Sequence, residues 1–351
     1  MKKPILARLA MPLLVALCAP WTTRAFSVSA PLTSRKFAQN RCRVQSHVRN
    51  SVGPEKIRVF TRQHSSLDQN NSPEARTLAY DAFSLLARQG RSWRRLGHLV
   101  DMAIDNPMSS IRTIADVGTD HGLLAMGLAL SGRFDKVLGI DVSEQALQNG
   151  AISLLENVLT NVNDKNKTLP GIIKEEISLE NIIEFRVGNG LSAAQNGEAD
   201  AVCIAGMGVH TMIRIIQQAS KDGVSDAERL CCQQLLLQPT NTRPRNLIML
   251  YDFLQESGWC VSEERIEKLS SRWYISTSFI KGDLLQNAGE GYNVAQLPCF
   301  KLLELDGSNP MRAVFDDYKR HQIDWIKDDA KASGIMFEDD KRWLAVFGEQ
   351  D

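Results

Sequence analysis

The sequence predicts an α/β fold, a mostly parallel sheet with helices on both faces, followed by a small helical C-terminal tail. Three observations carry this reading. Apolar, β-rich runs alternate with segments of helical spacing between about residues 80 and 282. Several of the runs end on glycine or aspartate, as at Gly118, Asp141, Gly188 and Gly206, where parallel sheets bind ligands beyond their strand ends. After residue 282 the alternation stops, and a polar linker (282–296) leads into helical spacing.

The elements follow in order. Leu85, Leu86, Leu96, Leu99, Val100 and Ala103 give Ser84 to Ile104 one apolar helical face, closed near Asn106-Pro107. Ile111 to Val117 is the first strand and Leu123 to Leu130 a helix closed by Gly132. Lys136 to Val142 is the second strand, and Ser143 caps the helix Glu144 to Glu156. The polar, lysine-rich stretch 157–181 reads as a surface insertion. Ile182 to Val187 and Ala199 to Ala205 are the third and fourth strands, and Val209 to Gln218 is helical. A fifth strand lies within Leu230 to Gln238 and stops at Pro239. Leu247 to Glu256 is helical, and Cys260 to Ile266 with Trp273 to Ile280 form a closing pair. The tail after Asn309-Pro310 is largely helical to Trp343-Leu344. The domain division is thus a leader (1–70), a main domain (80–282) and a helical C-terminal segment (297–351).

The leader reads as an address. Lys2 and Lys3 precede the apolar Met11 to Ala19, too short for a bilayer span, and residues 1–25 have signal-peptide form. From Phe26 to Leu67 Glu55 is the sole acid against eight Lys and Arg, among many serines, which is transit-peptide composition. Ala25-Phe26 resembles the cleavage motif of two-part plastid targeting sequences, so a plastid is expected, with secretion and mitochondria as alternatives and no stable membrane association after processing. Seven cysteines without a C-x-x-C pattern argue against a structural zinc site or a disulfide framework; free buried thiols are expected. The formal net charge is zero, so the overall balance gives no argument for nucleic acid, although Arg88, Arg91, Arg94 and Arg95 cluster, with Lys268, Arg272 and Lys281 later.

The chemistry concentrates at strand ends. "ADVGTDHG" (Ala115 to Gly122) follows the first strand and opens a helix, where glycine lets backbone approach a ligand. It is not the dinucleotide G-x-G-x-x-G, because Asp120 stands where that pattern needs glycine and would repel a pyrophosphate. S-adenosyl-L-methionine fits better, being cationic at its sulfonium and amine. Asp116 suits the amine and Asp141 the ribose hydroxyls. Gly118, Thr119 and Val142 flank them. Asn189 and Gly190 of "RVGNGL" suit the adenine edge, and Ala205, Gly206 and Met207 of "CIAGMG" complete the expected cofactor site. Gln238 and Asn241, beyond the fifth strand, are the expected substrate contacts, with Asn241 as a helix cap the alternative.

"ADVGTDHG", "GIDVS", "VGNGL", "IAGMG" and "LLLQPTN", in this order from about Trp93 to Ile280, resemble the bacterial TrmK family. That resemblance implies a Rossmann-like class I methyltransferase fold and S-adenosylmethionine-dependent methylation of tRNA at N1 of adenine 22 in the D-arm region, with tRNA as partner and no metal. The chain departs from the family at Asn189, where the family has Asp, and at Val209, where it has Gly. N1 of adenine already carries an in-plane lone pair, so placement is the main task. Asp120 is the expected catalytic residue, steadying the charged product ring or the N6 amine, and His121 either orients it or contacts the substrate; the alternative is Asp120 as a helix cap. Two other functions share this fold: methylation of rRNA, a protein or a small molecule, and RNA binding without catalysis. Binding of S-adenosylmethionine separates the last from the others.

Overall fold

The computed structural model describes residues 59–60, 80, 83–84, 91–106, 108–156, 179–218, 224–282 and 297–348, all within one unit that runs from Pro54 to Asp351. The sheet is built from β1 (Val59–Phe60), β2 (Thr113–Val117), β3 (Lys136–Asp141), β4 (Ile183–Val187), β5 (Ala201–Met207), β6 (Gln234–Pro239), β7 (Trp259–Leu269) and β8 (Arg272–Lys281), in the spatial order β1-β4-β3-β2-β5-β6-β8-β7. The five strands from β4 to β6 are mutually parallel, while β8 and β7 close one edge antiparallel. Strand order therefore reverses at β2, between β3 and β5, which puts the ligand crevice at the end of β2.

The helices are α1 (Arg91–Ile104), α2 (Leu123–Leu130), α3 (Glu144–Ala146), α4 (Val209–Gln217), α5 (Asp226–Arg229), α6 (Pro244–Glu256), α7 (Phe300–Leu303), α8 (Pro310–Ser333) and α9 (Glu338–Phe347). Alternate residues of the central strands feed different cores. Ile114, Cys203 and Leu236 pack with Trp93, Leu96, Leu99 and Leu128 of α1 and α2. Ala115, Val202, Ile204, Leu235 and Leu237 pack with Met212, Ile216, Leu250 and Leu254 of α4 and α6. Strands covered on both faces need apolar residues at every position, which is why these runs lack alternation.

Three features differ from the sequence reading. The helix after β3 runs from Glu144 to Glu156 as expected, begun by Ser143, whose hydroxyl accepts from the Ala146 N–H at 3.1 Å, but its middle, Leu147–Ile152, is a π-turn. The two residues of β1 fall within the leader, yet pair antiparallel with Arg186 and Phe185 and cover the edge of β4. The closing strands are longer than expected, because they stay paired as far as Leu269 and Arg272 at the hairpin, and Glu264 within the first of them is buried. The rest of the leader, most of the insertion and nearly all of the linker lie outside the described residues.

The tail packs against the main domain. Phe315, Tyr318, Ile326, Trp343 and Phe347 form a third core with Leu247 and Ile248 of α6, Ile266 of β7 and Ile275 of β8. Glu264 sits at this junction. Its Oε1 accepts from the Tyr251 hydroxyl (2.5 Å) and the Cys299 N–H (2.6 Å), and its Oε2 from the Lys301 N–H (2.8 Å). A carboxyl on a strand thus takes up the free N–H groups that open α7. Burial pushes its pKa up to about 7, against the lowering effect of the three donors.

A folded-state value raised above the ordinary one means that the stability Glu264 contributes is complete below its unfolded pKa and is lost as pH rises through about 7. The Glu264→Gln protein should show a flatter fall in urea-unfolding free energy between the ordinary carboxyl value of 4.5 and about 7, the range set by that shift. Glu264→Ala, which removes the shared acceptor of three hydrogen bonds at this junction, should lose on the order of 3 kcal/mol.

Candidate active site

The crevice is built by the turn after β2. Gly118 and Thr119 both donate their N–H to the Ile140 carbonyl of β3, at 2.8 and 3.1 Å, so the turn hangs from the neighbouring strand. Its φ angles are positive at Gly118 (76°), Asp120 (50°) and Gly122 (72°). A Cβ on Gly118 would lie 2.1 Å from Met207 Cε, and one on Gly122 would lie 2.7 Å from Ala151 Cβ. Gly122 is therefore required by space as well as by backbone angle, whereas at Gly118 the flexible end of Met207 can shift and the backbone angle decides.

A cavity of about 340 Å³ opens at this turn. It brings together Asp116, Gly118, Thr119, Asp120, His121, Asp141, Ala205, Gly206 and Met207, nine of the residues that the sequence singles out. Asp116 forms its floor. Thr119 Oγ1 donates to Asp116 Oδ2 at 2.7 Å, but burial is the stronger effect and pushes the carboxyl up to about 7. Asp141 is held by two backbone donors, the Asp120 N–H at 3.0 Å and the Ser143 N–H at 2.8 Å, one to each oxygen. Each of its oxygens keeps a further lone pair for a ligand hydroxyl.

The Asp120 and His121 side chains stand open, 70% and 72% exposed, with 3.8 Å between Asp120 Oδ1 and His121 Nδ1. Asp120 does not cap the following helix: α2 begins after Gly122 in a left-handed conformation, with no side-chain cap. The π-turn serves His121 directly. A Cβ on Gly150 would lie 2.3 Å from His121 Nδ1 and 2.8 Å from its Cα, so the wide turn and its glycine make room for the histidine.

Five expected residues fall outside the cavity lining. Val142 is 68% exposed, and Asn189 and Gly190 stand at the short 3-10 turn after β4, joined to β3 by the bond from the Gly188 N–H to the Asp141 carbonyl. Gln238 is a correction. It is 1% exposed, with its amide spent on Arg95 and Ser276, and offers no free edge to a substrate. Asn241 is exposed and accepts from the Arg243 N–H at 3.0 Å, ordering the approach to α6, which is the cap-like role of the alternative reading. Arg95, Leu96, Leu123 and Leu124 line the cavity without having been singled out for it. Apolar spacing marks Leu96, Leu123 and Leu124 as helix-face residues, and no local pattern separates Arg95 from Arg94. Yet Arg94 pairs with Glu267 at the surface while Arg95 turns inward. Lys268 pairs with Asp317, so the expected basic residues do not act as one set.

A family model described as a methyltransferase domain matches residues 99–168 and 167–275, just over half of the chain and all of the crevice except Arg95 and Leu96. The chain belongs to this methyltransferase family. It is 29% identical over 120 residues to the tRNA (adenine(22)-N(1))-methyltransferase of Bacillus subtilis, an alignment covering 34% of this chain and 42% of that protein. Among solved structures it is similar to Streptococcus pneumoniae Sp1610 in complex with S-adenosyl-L-methionine (18% identity, TM-score 0.49, 71% of this chain and 98% of that one). It is also similar to the B. subtilis m1A22 tRNA methyltransferase TrmK (19% identity, TM-score 0.48, 72% and 92%).

S-adenosylmethionine is the methyl donor of such domains, and the residues present fit it. Asp116 and Asp141 line the crevice as acceptors suited to an ammonium and a diol, and Gly118 and Gly206, both at positive φ, present bare backbone to it. The neutral form of Asp116 cannot pair with an ammonium. Affinity for S-adenosylhomocysteine, measured by calorimetry, should therefore rise with pH up to about 7 and level off above it. Asp116→Asn should remove that pH dependence.

Proposed function

We propose that this methyltransferase acts on N1 of an adenine in tRNA, at position 22 of the D-arm region, and that it works in a plastid. The observation that carries the substrate reading is the open Asp120-His121 pair at the mouth of the cavity, in the motif order that resembles the TrmK family. The similarity to the B. subtilis tRNA (adenine(22)-N(1))-methyltransferase supports it. The plastid reading rests on the composition of the first 70 residues.

The cofactor supplies an activated methyl group. The chain supplies placement and charge. Adenine N1 attacks through its own lone pair, so no residue has to remove a proton beforehand. The ring becomes cationic as the bond forms. The Asp120 carboxylate, free of any capping duty, is the group placed to meet that charge or the N6 amine. His121, braced against Gly150, holds Asp120 from the side. Asp116 and Asp141 would hold the cofactor, which leaves Asp120 to meet the base.

Asp120→Asn keeps a residue that tolerates a left-handed backbone, so the turn survives. Its methylation rate on tRNA transcripts with adenine at position 22 should fall by about 10²–10³, with S-adenosylhomocysteine affinity little changed. A folded Asp120→Asn protein with the wild-type rate would exclude the catalytic role. Loss of the protein should abolish m1A at that position in plastid tRNA, and retention of the mark would overturn the substrate reading. A fluorescent protein fused after residue 70 should reach the plastid, and Phe26→Ala should arrest it earlier; mitochondrial entry or secretion would refute the location.

A further inference from the structure

One face of α8 holds the loop between β6 and α6. Tyr318, Gln322, Trp325 and Asp329 follow one another at helical spacing and share a side of the helix. The buried Tyr318 donates its hydroxyl to the Thr242 carbonyl at 2.5 Å. Arg243 Nη1 donates to Gln322 Oε1 at 3.3 Å, and Arg243 Cζ lies 4.0 Å from the centre of the Trp325 ring. Arg245 Nη2 donates to Asp329 Oδ2 at 2.6 Å. Successive turns of one helix thus take hold of Thr242, Arg243 and Arg245.

The start of the same loop holds the cavity wall. Ala205 pairs with Gln238 and Met207 with Pro239, so Gly206, at φ 71°, is the extra residue of a bulge in β5. Two residues apart on a regular strand would share a face. Here Ala205 packs with the core of α1 and α2, whereas Met207 packs with the core of α4 and α6. The bulge has turned Met207 over. Pro239 opposite it has no N–H to give, and the Met207 carbonyl accepts instead from the Thr240 N–H at 2.9 Å. Met207 lines the cavity, and its side chain covers Gly118.

We propose that α8 sets the position of Met207 in the cavity wall through residues 240–243, and that Tyr318 is the positioning residue at the head of this connection. This rests on the reading of the cavity as the site of methyl transfer. A bulged strand end has lost part of its ladder, so its geometry depends on what holds the next residues. The next residues are held by the tail. The helical tail therefore belongs to the working site although no residue of it lines the cavity.

The test follows the Met207 methyl group by NMR in protein isotopically labelled at the methionine methyls, its signal assigned with Met207→Leu. Tyr318→Phe removes one hydroxyl and keeps the ring in its core. It should shift or broaden the Met207 signal and lower kcat for methyl transfer to tRNA transcripts about tenfold, since small misplacements beside reacting atoms are costly. The KM for RNA and the melting temperature should change little. Arg243→Met keeps the aliphatic stem, releases the loop from Gln322 and should move the same signal. Phe347→Leu loosens the tail core at Phe315 and Trp343 instead. It should lower the melting temperature and leave both the Met207 signal and kcat as they are. A Met207 signal unmoved by Tyr318→Phe and Arg243→Met would overturn the proposal. So would a moved signal with unchanged kcat, or an equal shift in Phe347→Leu, which would reduce the effect to a loosened core. Titration of the wild type with S-adenosylhomocysteine tests the underlying reading separately. A Met207 signal indifferent to that ligand would refute the cavity as the cofactor site, while the variants alone would still decide whether α8 holds Met207.

Discussion

Three left-handed residues within five, at Gly118, Asp120 and Gly122, are the constraint on which the site depends. They curl the chain so tightly after β2 that two successive N–H groups reach one carbonyl of β3, while the Asp120 N–H reaches the Asp141 carboxylate. The turn is wedged on both sides, by Met207 from the end of β5 and by Ala151 from the π-turn. No single neighbour holds it. It is the shape left over when three strand ends and one widened helical turn meet, and it presents Asp120 and His121 outward because its interior has no room for them.

Much of this was legible in the sequence because it is local. Strand–turn–helix order, Gly118 and Asp141 each depend on a few adjacent residues, and the nine cavity residues read from the motifs all lie within such units. What was hidden spans the chain. Gln238 meets Arg95 across 143 positions, and Glu264 takes up the N–H groups of Cys299 and Lys301 across more than thirty. The polarity of Gln238 suggested a substrate contact, but a buried amide is equally well satisfied by another part of the protein. The π-turn was invisible for another reason. Its sequence is compatible with an α-helix, and the widening appears only because His121 needs the space above Gly150.

The buried charges divide by how they are compensated. Arg186 lies between Glu184 and Glu198, and Glu198 is drawn down to about 2 by its donors, Arg186 foremost, despite the opposing effect of burial. That network is complete and sets the distance between β4 and the loop before β5. Burial holds Asp116 and Glu264 near 7, against the lowering effect of their hydrogen-bond donors. Glu264 compensates with three hydrogen-bond donors from the tail junction. Asp116 has the Thr119 hydroxyl and the Ala125 N–H as donors and faces an open cavity, where a cationic ligand would add to its compensation.

The tail makes one more connection. The Tyr318 hydroxyl donates to the Thr242 carbonyl, and the Thr240 N–H donates to the Met207 carbonyl at the cavity wall. Trp343 and Phe347, near the end of the chain, fill the core against Leu247 and Ile248. These aromatic residues follow α6, β7 and β8 in the chain. Until they are in place, the outer faces of those elements have no cover from the tail, and the loop that braces Met207 lacks its hydroxyl clamp. Any folding intermediate without α8 and α9 therefore exposes that apolar face and must be shielded over it.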